Sequence, residues 1–226
     1  MYGYPSAYNK SSYPRTTSSV TAITLAAHTS FTPASGDGGT TSAINTTGST
    51  LLVLAIAYLG GVTMTVSDSK SNTWVARTEY ASGAGNGRIR LYYVANPTVG
   101  SGHTFTFSGS SGFSSVAVAA FNTVVAASPY DVENGAGSAS ATSQQPGSIT
   151  PTSSNELIVS GLEYVGSSAA TIGSGMAVTD AQNGGANFSV ALAWKAQTSA
   201  AAINPTWSTN NAADRVTAAI ASFKHS

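Results

Sequence analysis

No cysteine occurs in this chain of 226 residues, which excludes disulfide frameworks, thiolate zinc sites and cysteine nucleophiles. Charge is scarce too. Only 8% of residues are Asp, Glu, Lys or Arg, against about 25% in an ordinary soluble domain. Lys+Arg and Asp+Glu balance at 9 each. A neutral, charge-poor surface releases few counterions from a phosphate backbone, which argues against a nucleic-acid partner. It also offers little repulsion between copies and so favours self-association. The longest apolar run, Leu51–Leu59, falls far short of the ~20 residues a membrane-spanning helix needs. No apolar h-region precedes it near the N-terminus, so neither a secretory signal nor a membrane segment is expected. Helix signals are missing as well: Ala117–Ala120 and Ala200–Ala202 are short and flanked by β-branched residues.

What the chain does contain is a repeat. Ser49–Gly60, STLLVLAIAYLG, returns 106 residues later as Asn155–Gly166, NELIVSGLEYVG. Met64–Asp68 returns as Met176–Asp180, Leu91–Ala95 as Leu192–Ala196, and Val118–Phe121 as Ile220–Phe223. Four matches in one order identify a duplicated unit. Period-2 alternation marks its segments as strands: Val20–Leu25, Val62–Ser67, Thr73–Tyr80, Arg88–Ala95, His103–Phe107 and Ser115–Phe121. The second copy supplies Glu156–Tyr164, Met176–Thr179, Phe188–Ala196, Pro205–Trp207 and Val216–Phe223. Leu51–Leu59 is apolar throughout, as a strand covered on both faces should be.

Neither copy has enough strands to bury its apolar face alone. Two copies sharing a core give an all-β, jelly-roll-like antiparallel β-sandwich built from two sequence-related halves. Residues 20–226 form this sandwich, with repeat one at about 42–125, a Ser/Ala/Gly/Gln-rich linker at about 126–148 and repeat two at about 149–226. Residues 1–19 form an extended Tyr/Pro/Ser-rich arm. Its Tyr2, Tyr4, Tyr8 and Tyr13 are candidates for subunit contact, since tyrosine supplies large area with few rotatable bonds and a polar tip.

The blocks VSDSKSNTW (Val66–Trp74), RLYYVANPTVGSGHTFTF (Arg90–Phe107) and VAVAAF (Val116–Phe121) resemble β-sandwich domains of phage virion proteins, in capsid decoration and tail fibres, and of bacterial surface proteins. The resemblance spans most of residues 42–226 and leaves the arm uncovered. It implies a display domain, and no catalytic motif is attached to it.

Reactive constellations are thin. His28, His103 and His225 are widely spaced, with no H-x-x-x-H pair to hold zinc. Asp68 and Asp180 recur in the repeat and are weak metal candidates. Asp68-Ser-Lys-Ser-Asn72 alternates oxygen ligands, but the loop lacks the glycine and terminal glutamate of a calcium site, and turn capping explains it better. The nine acids include Asp131 and Glu133, two apart in the expected linker, and no pair stands out for glycoside hydrolysis. No G-x-S-x-G elbow occurs, and Gly83–Gly87 reads as a hairpin turn. Trp194 and Trp207 match Tyr93 and Phe107 of the other copy and belong to the core. Trp74, beside the Asp68 turn, is the candidate for a glycan-stacking platform.

The expected function is therefore non-enzymatic and cofactor-free. The chain reads as a virion structural protein on a phage capsid or tail, partnered by other copies of itself and a neighbouring virion protein. The Ser/Thr/Gly-rich, lysine-poor composition suits an exposed setting, and release by lysis needs no secretion signal. The alternative is a carbohydrate-binding or adhesin module of a fibre or cell surface, partnered by surface glycan.

Overall fold

The computed structural model describes residues 22–34, 38–83, 86–109, 113–122, 125–166, 169–184, 188–210 and 215–225. Among them the chain forms strands and no helix. The first half contains β1 (Thr24–Phe31), β2 (Gly38–Thr40), β3 (Leu51–Leu59), β4 (Thr65–Asp68), β5 (Val75–Ala81), β6 (Gly87–Ala95), β7 (Phe105–Ser108) and β8 (Ser114–Asn122). The second half repeats this order with β9 (Val125–Ser138), β10 (Ser143–Gln144), β11 (Glu156–Tyr164), β12 (Thr171–Ile172), β13 (Ala177–Gln182), β14 (Ser189–Gln197), β15 (Trp207–Ser208) and β16 (Val216–His225).

Each half builds one five-stranded and one three-stranded antiparallel sheet. The five-stranded sheets run β1-β8-β3-β6-β5 and β13-β14-β11-β16-β9, and the three-stranded sheets run β2-β7-β4 and β10-β15-β12. The large sheets face each other, and a small sheet covers the outer face of each. Four layers result. The continuous apolar run of β3 follows from this: Leu51, Val53, Ala55 and Ala57 point into the core between the halves, while Leu52, Leu54, Ile56 and Tyr58 point outward beneath β7. On β11, Leu157 and Val159 face inward, and Ile158, Leu162 and Tyr164 pack outward against Trp207.

The repeat is visible in the register. Leu51 pairs with Ala95 and Phe121, and Leu157 pairs with Ala196 and Phe223. Two edge-to-face aromatic pairs repeat it across the interface: Tyr93 on Phe223 at 5.3 Å and Trp194 on Phe121 at 5.4 Å between ring centroids. Between them the backbones come close. A Cβ placed on Gly161 would lie 3.2 Å from the Ala55 Cβ and from a Leu91 methyl, so the smallest residue stands where the two central strands cross.

Two expectations need correction. The segment at about 126–148 is not a linker: most of it is β9, paired along β16 from Val216↔Ser138 to His225↔Val125. Its glycines had suggested a loop. Instead, a Cβ on Gly135 would strike the Tyr80 ring at 2.3 Å, and one on Gly137 the Ala81 carbonyl at 2.4 Å. These glycines let β5 of the first half lie against β9.

The second correction concerns Asp68 and Asp180, which do not occupy equivalent positions. Val66 pairs with Phe107 and Ile172 with Trp207, whereas Val75 pairs with Tyr93 and Ala177 with Trp194. Asp68 therefore ends a strand of a small sheet, while Asp180 lies on an edge strand of a large one. The matching Met-x-Val-x-Asp strings fall on different strands.

Candidate functional site

The densest polar cluster lies in the first half, where β4 runs into the Asp68–Asn72 turn. The Asp68 side chain is fully buried. Its Oδ1 accepts from the Lys70 N–H at 2.8 Å, the Asn72 N–H at 3.3 Å and the Asn72 side-chain amide at 3.2 Å. Its Oδ2 accepts from the Trp74 indole N–H at 2.8 Å. This is an Asx turn extended by two side chains, and Ser71 within it takes a positive φ of 61°. The turn is tied to the next loop, because Asn72 donates to the Thr98 carbonyl at 3.0 Å and accepts from the Thr98 N–H at 2.7 Å.

His103 completes the cluster. Its Nε2 lies 3.2 Å from Asp68 Oδ1 in an electrostatic contact without linear hydrogen-bond geometry. Its Nδ1 lies 2.9 Å from the Thr46 hydroxyl, and its ring stacks on Phe105 at 4.4 Å. Burial lowers the His103 pKa below the ordinary histidine value, against the opposing pull of Asp68. Hydroxyl, imidazole and carboxylate stand in the order of a hydrolase triad. Thr46, His103 and the Asp68 side chain are all 0% exposed, however. Such an array braces two loops and presents no nucleophile to a substrate.

Among the described residues, no three His, Asp or Glu side chains gather as a metal would require, and the Asp68 oxygens are engaged by N–H donors. Asp180 instead meets His28 at 3.0 Å across the edge between the halves. Trp74 is half-buried. Its indole is tied to Asp68 and its ring meets Phe105 edge-on at 6.0 Å, so it makes a poor sugar platform. Tyr2, Tyr4, Tyr8 and Tyr13 lie outside the described residues.

Several polar residues come together that sequence reasoning had left apart. Glu163 is 0% exposed and lies at the interface of the halves, where a Cβ on Gly87 would come within 2.5 Å of both carboxyl oxygens. The Thr217 hydroxyl donates to it at 2.9 Å, and Arg215 Nε approaches to 3.5 Å as an ion pair without a hydrogen bond. Burial pushes the Glu163 pKa up to about 8, against the pull of Thr217 and Arg215. Asp131 on β9 accepts from the Thr152 N–H at 2.7 Å and pairs with Lys224 at 3.1 Å. Burial raises the Asp131 pKa, but these partners outweigh it and hold the carboxyl below its ordinary value. Glu156, buried nearby, is raised chiefly by burial.

Six of the seven described carboxyl groups thus lie within 4.0 Å of a basic side chain: Asp68, Glu79, Asp131, Glu133, Glu163 and Asp180. The one sequence signal for this is that scarce charges recur inside apolar strands, Glu163 in β11 above all. Comparison with protein families finds no matching family model, and neither the curated proteins nor the solved structures contain a match.

Proposed function

We propose that the protein is a non-enzymatic architectural subunit, displayed on an assembly such as a phage capsid or tail and packed there against copies of itself and a neighbouring structural protein. The observation that carries this reading is the engagement of its described carboxyl groups by basic side chains within the fold. Six of the seven described carboxylates face a cation or an imidazole within the fold. Among the described residues acids and bases balance and few carboxylates stand alone, which weakens the long-range repulsion that keeps soluble proteins apart. The duplicated four-layer body adds rigidity. Its triad-like group supports the same reading, because Thr46, His103 and Asp68 brace the Asn45–Thr50 and Asn96–His103 loops from inside the core.

In this account residues 1–19 reach a neighbouring subunit through Tyr2, Tyr4, Tyr8 and Tyr13. Comparing the full chain with residues 20–226 by electron microscopy and thermal unfolding tests it. The truncated chain should unfold at the same temperature and fail to form ordered assemblies. Ordered assemblies of the truncated chain would remove the arm from the mechanism.

A further inference from the structure

An open cleft of about 630 Å³ lies on the second half, at the mouth of its small outer sheet. Ser138 at the end of β9, Gln144 on β10, Gln145 and Gly147 after it, and Asn204 and Thr206 before β15 form its walls. Its volume falls within the range of small-molecule sites. No lining residue carries a charge.

The polar side chains of the cleft hold one another in place. Ser138 donates to the Gln144 carbonyl oxygen at 2.7 Å, and the Gln144 amide donates to the Gln145 backbone carbonyl at 2.7 Å. The Gln145 amide donates to the Thr206 hydroxyl at 3.0 Å. Gly147, at φ +95°, lies against the Asn134 amide, where a Cβ would approach its nitrogen to 2.5 Å. Asn134 in turn donates to the Ser148 carbonyl at 3.1 Å. The loop is thus fixed from below while its amides line the cleft above. Asn204, on the facing wall, is half-buried, and its Oδ1 is covered by the fold without a protein donor. A buried acceptor of this kind is costly unless something donates to it.

We propose that this cleft binds a neutral saccharide through hydrogen bonds from its amides and hydroxyls. Each sugar hydroxyl both donates and accepts, which matches side-chain amides that offer one carbonyl oxygen and two N–H groups. Asn204 and Gln145 bring side-chain amides to the cleft wall and Thr206 a hydroxyl, the groups such a ligand would meet. The absence of a cation in the lining disfavours phosphate, sulfate and nucleic acid. The single apolar side chain in it, Ala136, disfavours an apolar peptide. The site goes beyond the architectural role and does not depend on assembly.

Amide chemical shifts of the full chain, followed through titration with glucose, galactose, N-acetylglucosamine and maltose, test the proposal. At least one sugar should shift Gln144, Gln145, Gly147 and Asn204 together, with Kd on the order of 1 mM. Asn204→Ala and Gln145→Ala should each weaken that binding roughly tenfold or more while the rest of the spectrum stays unchanged. Because Gln145 is exposed, its variant reports on binding even if Asn204→Ala fails to fold. The proposal is overturned if no sugar moves these resonances, if glycerol moves them as strongly, or if a neutral Ser/Gly peptide binds there instead. Shifts centred on Trp74, or affinity unchanged in a folded variant, would overturn it equally.

Discussion

Arg77 on β5 grips Glu133 on β9 through two parallel contacts, Nε to Oε2 and Nη2 to Oε1, both at 3.1 Å. The guanidinium also lies 3.4 Å above the Tyr130 ring, so a charged fork and an aromatic face close one edge between the halves. The opposite edge repeats the arrangement with reversed polarity. His28 pairs with Ala119 as Glu133 pairs with Ala221, at matching places in the two sheets. There His28 meets Asp180 at 3.0 Å. One seam thus places the base on the outer strand of the first half, and the other places the acid on the outer strand of the second. Pairing like halves would bring His28 toward Arg77 and Asp180 toward Glu133. The charges therefore specify one half against the other.

Reversing Arg77 alone should open that seam. Arg77→Glu is expected to cost about 2–4 kcal/mol, because it leaves two partly buried carboxylates facing each other. Adding Glu133→Arg should recover at least half of the loss. Urea denaturation of both variants measures this, and a double variant no more stable than the single one would deny the pairing its specifying role.

Stability should fall as pH rises through the range in which Glu163 is protonated only in the folded protein. Its folded pKa is raised to about 8 from an ordinary 4.5. Above 4.5 the unfolded chain releases the proton while the native state keeps it, so the unfolded state gains until about pH 8. The loss is up to about 5 kcal/mol. Glu163→Gln should flatten the pH 5–8 slope of unfolding free energy. A slope that survives this substitution would assign the effect elsewhere.

Asp68 and Asp180 should behave differently despite their similar sequence settings. Asp68→Ala removes the acceptor of four N–H donors and is expected to cost about 3 kcal/mol or more. Asp180→Ala breaks a contact with a histidine whose side chain is 46% exposed and should cost under about 1 kcal/mol. Added calcium should not raise the melting temperature, because N–H donors occupy the Asp68 oxygens. Equal losses from the two variants, or a calcium-dependent shift, would contradict the assignment.

The halves also show how one core position depends on another. Leu54 and Phe107 belong to one outer core in the first half, and the residues at matching places in the second are Ser160 and Trp207. The larger indole carries an N–H, which donates to the Ser160 hydroxyl at 2.8 Å. Ser160→Ala should therefore cost about 1–3 kcal/mol. Ser160→Leu with Trp207→Phe should restore most of that stability, as thermal unfolding would reveal. A double variant weaker than Ser160→Ala would show that the two sites are not interchangeable.

Much of the fold was legible because apolar patterning and layer structure coincide. The strand Leu51–Leu59 is apolar on both faces because a sheet covers each. Matched aromatics such as Tyr93 and Trp194 marked the core because each packs on a phenylalanine of the other half. β9 was hidden, since Gly135 and Gly137 answer to the approach of Tyr80 and Ala81, residues more than fifty positions away. The false equivalence of Asp68 and Asp180 arose because alternating strands of one composition resemble each other locally, while only their pairing partners fix their place. The saccharide cleft left no motif, because its walls come from three separated stretches.

Sedimentation velocity of the intact chain across a range of concentrations, at low and at high salt, tests the architectural account most directly. Internal pairing of the charges predicts self-association that grows with concentration and changes little as screening shortens the Debye length from about 30 Å to about 3 Å. A chain that stays monomeric at every concentration, or one whose association dissolves in salt, would contradict it.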